Sequence, residues 1–183
     1  MVAAVDSVAA VRRGVGDMAF MRRLLRHLLQ SPMAVRRRFN AAVLQSIEAA
    51  VAEAERGHRC EIRFIVETDL SIAALWSRRT PRERAIELFA MNRVWDTADN
   101  NGVLVYVLWA DRAVEIIADR GFNDVVTAAE WGDVSQGMET AFAAGAWHAG
   151  AVSGVQAIGR LLDRHFPART AESNELSDRP LLL

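Results

Sequence analysis

The alternation of apolar and polar positions divides this chain into a short series of elements. Residues 60–67, CEIRFIVE, place Ile62, Phe64 and Val66 on one side and Glu61, Arg63 and Glu67 on the other, which predicts a half-exposed strand. Residues 103–109 are apolar throughout and rich in β-branched and aromatic side chains, the pattern of a strand covered on both faces. A turn at Ala110-Asp111 returns the chain as a partner strand over 113–118. Before these strands, Ser31-Pro32 offers a helix start, and Phe39, Val43, Ile47 and Val51 recur every four residues as one stripe ending before Gly57.

Between the first two strands, Thr80-Pro81-Arg82-Glu83 combines a capping box with proline at the first helical position, predicting a helix from 81 to about 92. A strand–helix–strand order of this length implies a parallel, right-handed crossover. After Gly121, capping boxes at Thr127–Glu130 and Asp133–Gln136 and a stripe of Val152, Val155, Ile158, Leu161 and Leu162 predict further helices. The expected fold is a three-layer α/β/α sandwich around a small mixed β-sheet. It occupies residues 31–166, after a basic segment at 1–30 containing a short amphipathic helix. Residues 1–17 are expected to lack structure, and the polar tail 167–183 to be disordered.

Composition narrows the function classes. A net charge of −1 disfavours a nucleic-acid binder, and the single cysteine, Cys60, excludes an internal disulfide or a thiolate metal cage. No apolar run approaches the ~20 residues needed to span a bilayer, and the first residues lack signal-peptide regions, so a cytoplasmic location is expected. All 22 basic residues are arginine, eight of them between Arg12 and Arg38. Phe20, Leu24, Leu25 and Leu28 recur among these arginines at helical spacing. Such a helix either packs on the domain with solvated arginines, the favoured reading, or lies against an anionic membrane surface.

The candidate chemistry sits in the loop Asp96-Thr97-Ala98-Asp99-Asn100-Asn101-Gly102. Asp96, Asp99, Asn100 and Asn101 supply hard oxygen ligands suited to Ca²⁺ or Mg²⁺, and the hairpin returns Asp119 to the same sheet edge. The spacing is not that of an EF-hand, because Ala98 stands where a ligand is required. The competing reading is a turn whose carboxylates are neutralised by arginines. Arg93, Arg112 and Arg120 are candidate anion contacts. Glu67, Asp69, Asp111 and Arg112 gather at the opposite edge, where open α/β sheets usually bind ligands. No aspartate, cysteine or serine nucleophile motif and no phosphate-binding glycine loop occurs, so any hydrolysis would be metal-assisted.

Several motifs carry a family resemblance: Arg93-Val94-Trp95 before the acidic loop, Asn101-Gly102-Val103-Leu104-Val105, Asp111-Arg112, Gly121, and Gly145-Ala146-Trp147-His148-Ala149-Gly150. Over residues 36–166 the chain resembles the TPM domain family, which includes a thylakoid-lumen acid phosphatase, photosystem-repair proteins and bacterial membrane-associated proteins. The resemblance implies a single α/β/α domain, with divalent-cation binding and weak acid phosphatase activity ascribed to some members. Two functions are therefore expected to compete. One is a cation-responsive accessory domain that meets a membrane surface or membrane protein through its basic amino-terminal segment. The other is a weak metal-dependent phosphomonoesterase.

Overall fold

The computed structural model describes residues 18–57, 59–123, 125–167 and 174–183; the expectation for 1–17 lies outside them. Helix α1 covers 18–28, α2 Pro32–Arg38 and α3 Ala41–Glu55, and strand β1 follows at Glu61–Glu67. Next come α4 Ile72–Trp76, α5 Pro81–Met91, β2 Gly102–Leu108 and β3 Ala113–Ala118. A single 3₁₀ turn at Arg120–Phe122 leads to α6 Ala128–Ala143 and α7 Trp147–His165, and β4 is Leu181–Leu182.

The sheet order is β3-β2-β1-β4, with β1 parallel to β2 and β4, and β2 antiparallel to β3. Alternate strand residues feed two separate cores, as the two-residue period of a strand requires. Ile62, Phe64, Val66, Val103, Val105 and Val107 pack with apolar residues of α3, α6 and α7. Ile65, Leu104, Tyr106 and Leu108 face α4 and α5, with Leu24 of α1 against the same cluster. This is the α/β/α sandwich. Every residue of β2 is buried, as its unbroken apolar sequence requires.

Four expectations need correction. The stripe from Ser31 to Glu55 is two helices: Phe39 closes α2, and the Asn40 side chain accepts from Val43 N–H at 3.1 Å to start α3. Asp133–Gln136 starts nothing, since the Thr127 box already opens a helix that runs through it. Strand β1 is not half-exposed; six of its seven residues are buried, because its polar side chains are covered by α5 and by the carboxy-terminal segment. Finally, residues 174–183 of the expected disordered tail form an ordered strand-bearing segment on β1, while 168–173 lie outside the described residues.

Candidate functional site

The rim formed by the start of β2 and the end of β3 holds the acidic loop. Asn92 ends α5, and Arg93 and Asn100 then adopt left-handed backbone angles (φ 55° and 53°), which turn the loop tightly on itself. Gly102 has no room for a side chain, since a Cβ there would run into the Val94 carbonyl oxygen; at Gly121 it would meet that of Asn100. The two acidic stretches are stitched together by Gly121 N–H donating to Asn100 O and Asp119 N–H to Gly102 O, both at 3.0 Å. Asp96, Asp99, Asn100, Asn101 and Asp119 thus share one rim.

The side chains there are occupied unequally. Asp96 pairs with Arg93 at 2.7 Å and Asp99 with Arg59 at 3.3 Å, while Arg120 donates to Asn100 Oδ1 at 2.5 Å. Asp119 Oδ1 accepts from Arg120 N–H at 2.7 Å. Asn101 is buried; its amide donates to the Arg59 carbonyl, and its own N–H donates to Thr97 Oγ1 at 3.0 Å. Two acceptors remain: Asn101 Oδ1 and Asp119 Oδ2 are buried with no hydrogen-bond partner. Their chemistry fits a hard cation, but Asp96 and Asp99 would have to leave their arginines to complete a shell. Among the described residues, no three His, Cys, Asp or Glu side chains gather as a metal-holding group.

Arg93 and Arg120 lie at this rim, whereas Arg112 lies at the hairpin, so the three anion candidates do not converge. At the hairpin rim, two buried carboxylates organise the surroundings. Glu67 receives Arg84 Nε and Nη2 at 2.9 and 2.7 Å and the Tyr106 hydroxyl at 2.6 Å. Burial and the adjoining Glu67 together push the Tyr106 hydroxyl well above its ordinary range, so it stays a donor. Glu87 bridges Arg84 and Arg79, and these groups with Ser71 and Ser77 line a cavity of about 390 Å³.

Asp111 is the second hub. Arg23 Nε donates to it at 2.9 Å, Arg26 also pairs with it, and His27 Nε2 lies 3.1 Å away. Burial alone would raise its pKa, but the His27 and Arg23 contacts outweigh that and hold the carboxyl well below the usual range. His27 Nδ1 accepts from Leu70 N–H at 3.0 Å, which fixes the ring with its proton on Nε2. Sequence reasoning had named Asp111 but missed the clasp, because its partners lie 85 and 88 residues away. It also missed Arg84, although one signal existed: a lone tyrosine in an otherwise aliphatic buried strand needs a hydrogen-bond partner.

Helix α1 therefore presents Arg23, Leu24 and His27 inward and leaves Met18, Met21, Leu25 and Leu28 facing outward. From the same helix, Phe20 meets Trp76 of α4 at 5.3 Å between ring centroids.

Comparison with known proteins fixes the family. The model of the TPM domain matches residues 37–161. The chain belongs to the TPM domain family. No curated protein sequence matches it. The NMR structure of BA42 protein from the psychrophilic bacterium Bizionia argentinensis is similar at 28% identity, covering 78% of this chain and 94% of that one with a TM-score of 0.69. The N-terminal domain of cg2496 protein from Corynebacterium glutamicum shares the fold at 15% identity (74% and 82% covered, TM-score 0.52). This TPM chain has no helix, among the described residues, long and apolar enough to cross a membrane.

Proposed function

We propose that this TPM domain is an accessory binding module that lies on an anionic membrane surface through α1, rather than a phosphatase. The observation that carries the reading is the outward stripe of α1. Met18, Met21, Leu25 and Leu28 are 58%, 48%, 51% and 55% exposed, at the spacing of a single helical face. Contiguous exposed apolar surface of this kind marks an interaction site. Arg22 flanks the stripe, and Arg36, Arg37 and Arg38 are exposed on the neighbouring α2. The inward face is committed to Asp111 and the second core, so docking needs no unfolding of the domain.

Each arginine near an anionic leaflet is worth about 1 kcal/mol. The test is co-sedimentation with vesicles of pure phosphatidylcholine and with vesicles containing phosphatidylglycerol. Binding is expected only to the latter, weakening with salt. Arg22→Gln with Arg37→Gln should cut the affinity by up to roughly 30-fold, and Leu25→Ser with Leu28→Ser should abolish it. Equal indifference of the protein to both vesicle types would remove the membrane reading and leave an acidic protein surface as the partner.

A divalent cation at the loop rim is a second reading, favoured by the two partnerless acceptors, Asn101 Oδ1 and Asp119 Oδ2. Ca²⁺ or Mg²⁺ there would neutralise the rim and free Arg59 and Arg93 from Asp99 and Asp96. Weak phosphomonoester hydrolysis would need that ion, and it has no further support from the residues around it.

A further inference from the structure

Residues 174–183 run along the outer side of β1. Leu181 stands opposite Ile65 and Leu182 opposite Val66, in parallel register. Leu183 N–H donates to Val66 O at 2.8 Å, and Thr68 donates to Leu183 O from both its N–H and its hydroxyl at 3.2 Å. Arg63 Nη1 holds the carbonyls of Ser177 and Arg179 at 2.7 and 2.9 Å. Farther back, Leu176 N–H donates to Glu61 at 2.9 Å, and the Glu175 carboxylate accepts from Ala98 N–H at 3.0 Å. Leu181 then packs into the second core and Leu182 into the first.

Most of these contacts read main chain, not sequence. The ladder groups of Val66 and Thr68 and the two-carbonyl clamp of Arg63 would serve any extended segment. Selectivity comes from two aliphatic seats on opposite faces and from the Ala98 N–H, which wants an acidic side chain upstream. This is the anatomy of strand-addition sites. The covering strand is also short: its ladder is only two residues long. It lies outside the matched domain, residues 37–161, whereas the edge it covers lies inside. An uncovered edge with this apolar backing is a ready template for another chain.

We propose that the outer edge of β1 is an acceptor site for an extended acidic-then-aliphatic peptide of a partner protein, occupied here in cis by residues 174–183. The partner competes with that segment and gains access when it lifts.

The probe is a fluorescein-labelled peptide, NELSDRPLLL, copied from residues 174–183 and titrated into the full chain by anisotropy. Wild type is expected to bind it weakly. Leu182→Asp, which dislodges the covering strand and leaves the edge intact, should bind at least about tenfold tighter. Adding Arg63→Ala should remove most of that gain, and a scrambled peptide should not bind. A folded Leu182→Asp chain that binds no better than wild type overturns the proposal. So does capture only of a second copy, seen as a concentration-dependent dimer without peptide binding. If the variant fails to fold, amide exchange in the wild type decides. The Thr68 and Leu183 amides must exchange at least about tenfold faster than those of Val103 and Val105, and equal rates overturn the proposal.

Discussion

The two rims of the sheet use the same chemistry, arginine against carboxylate, in opposite ways. At the loop rim the carboxylates are wet: Asp96, paired with Arg93 three residues away, is 47% exposed, and Asp99, paired with Arg59, is 46% exposed. At the hairpin rim they are dry: Glu67 is 10% exposed and Asp111 7%, with partners brought in from other elements. Exposed pairs contribute roughly 0–1 kcal/mol and can be exchanged at little cost. Buried ones are expensive to break, because the abandoned partner stays out of water. The hairpin rim therefore reads as structure that positions α1 and α5, and the loop rim as surface whose pairs can be exchanged at little cost.

The largest test of this difference is Glu67→Ala. It takes from Arg84 its bidentate partner, leaving only Glu87, and leaves the buried Tyr106 hydroxyl without an acceptor, which should together cost about 3 kcal/mol in urea unfolding. Replacing the set with apolar residues, Glu67→Leu with Arg84→Met and Tyr106→Phe, should restore most of that. If the single and triple variants are equally unstable, the hub is irreplaceable for reasons other than unpaired charge.

Acidity sharpens the contrast next. Asp111 has a depressed pKa, so its contribution is full above the ordinary aspartate value and disappears as pH falls below about 4. Glu55 behaves in reverse: burial first, then Glu61 of β1 and Asp178 of the carboxy-terminal segment, push it up to about 8. The native state holds its proton more tightly than the unfolded chain does, so stability declines as pH rises from about 4.5 to about 8. The slope is at most about 1.4 kcal/mol per pH unit. Urea midpoints should accordingly be higher near pH 5 than near pH 8. Glu55→Gln should flatten the alkaline side only, and Asp111→Asn the acid side only. A wild-type midpoint that rises between those pH values would contradict the burial of Glu55.

What could be read in the sequence follows the range of the interactions. The Thr80 and Thr127 capping boxes form as their local spacing requires, and β2 is buried because all its neighbours in sequence are apolar. The break at Asn40 was readable as a cap but was masked by a stripe that continues across it. Long-range side-chain pairs leave no periodic trace, which is why the His27–Asp111 contact was invisible and the Glu67–Arg84 hub was signalled only by the need of Tyr106 for a partner. The order of residues 174–183 comes from β1, since a polar segment ending in three leucines has little reason to be a strand alone. For the loop rim, sequence placed Asp119 beside the acidic loop but could not assign Arg59 to Asp99.

The smallest expected effect is at that loop rim, and it separates structure from binding most cleanly. Asp99→Ala removes one exposed partner of Arg59 and should change stability without ions by less than about 1 kcal/mol. If the rim takes Ca²⁺ or Mg²⁺, wild type should gain ~2.7 kcal/mol at 100-fold excess over the dissociation constant, and Asp99→Ala should gain much less. Asp119→Asn should also weaken the response, because it turns the partnerless oxygen into an amide nitrogen while the remaining oxygen still accepts from Arg120 N–H. A wild-type melting temperature that ignores both ions would leave the rim as a set of exchangeable surface pairs. An ion response that survives both substitutions would move the ion elsewhere, away from the two buried oxygens.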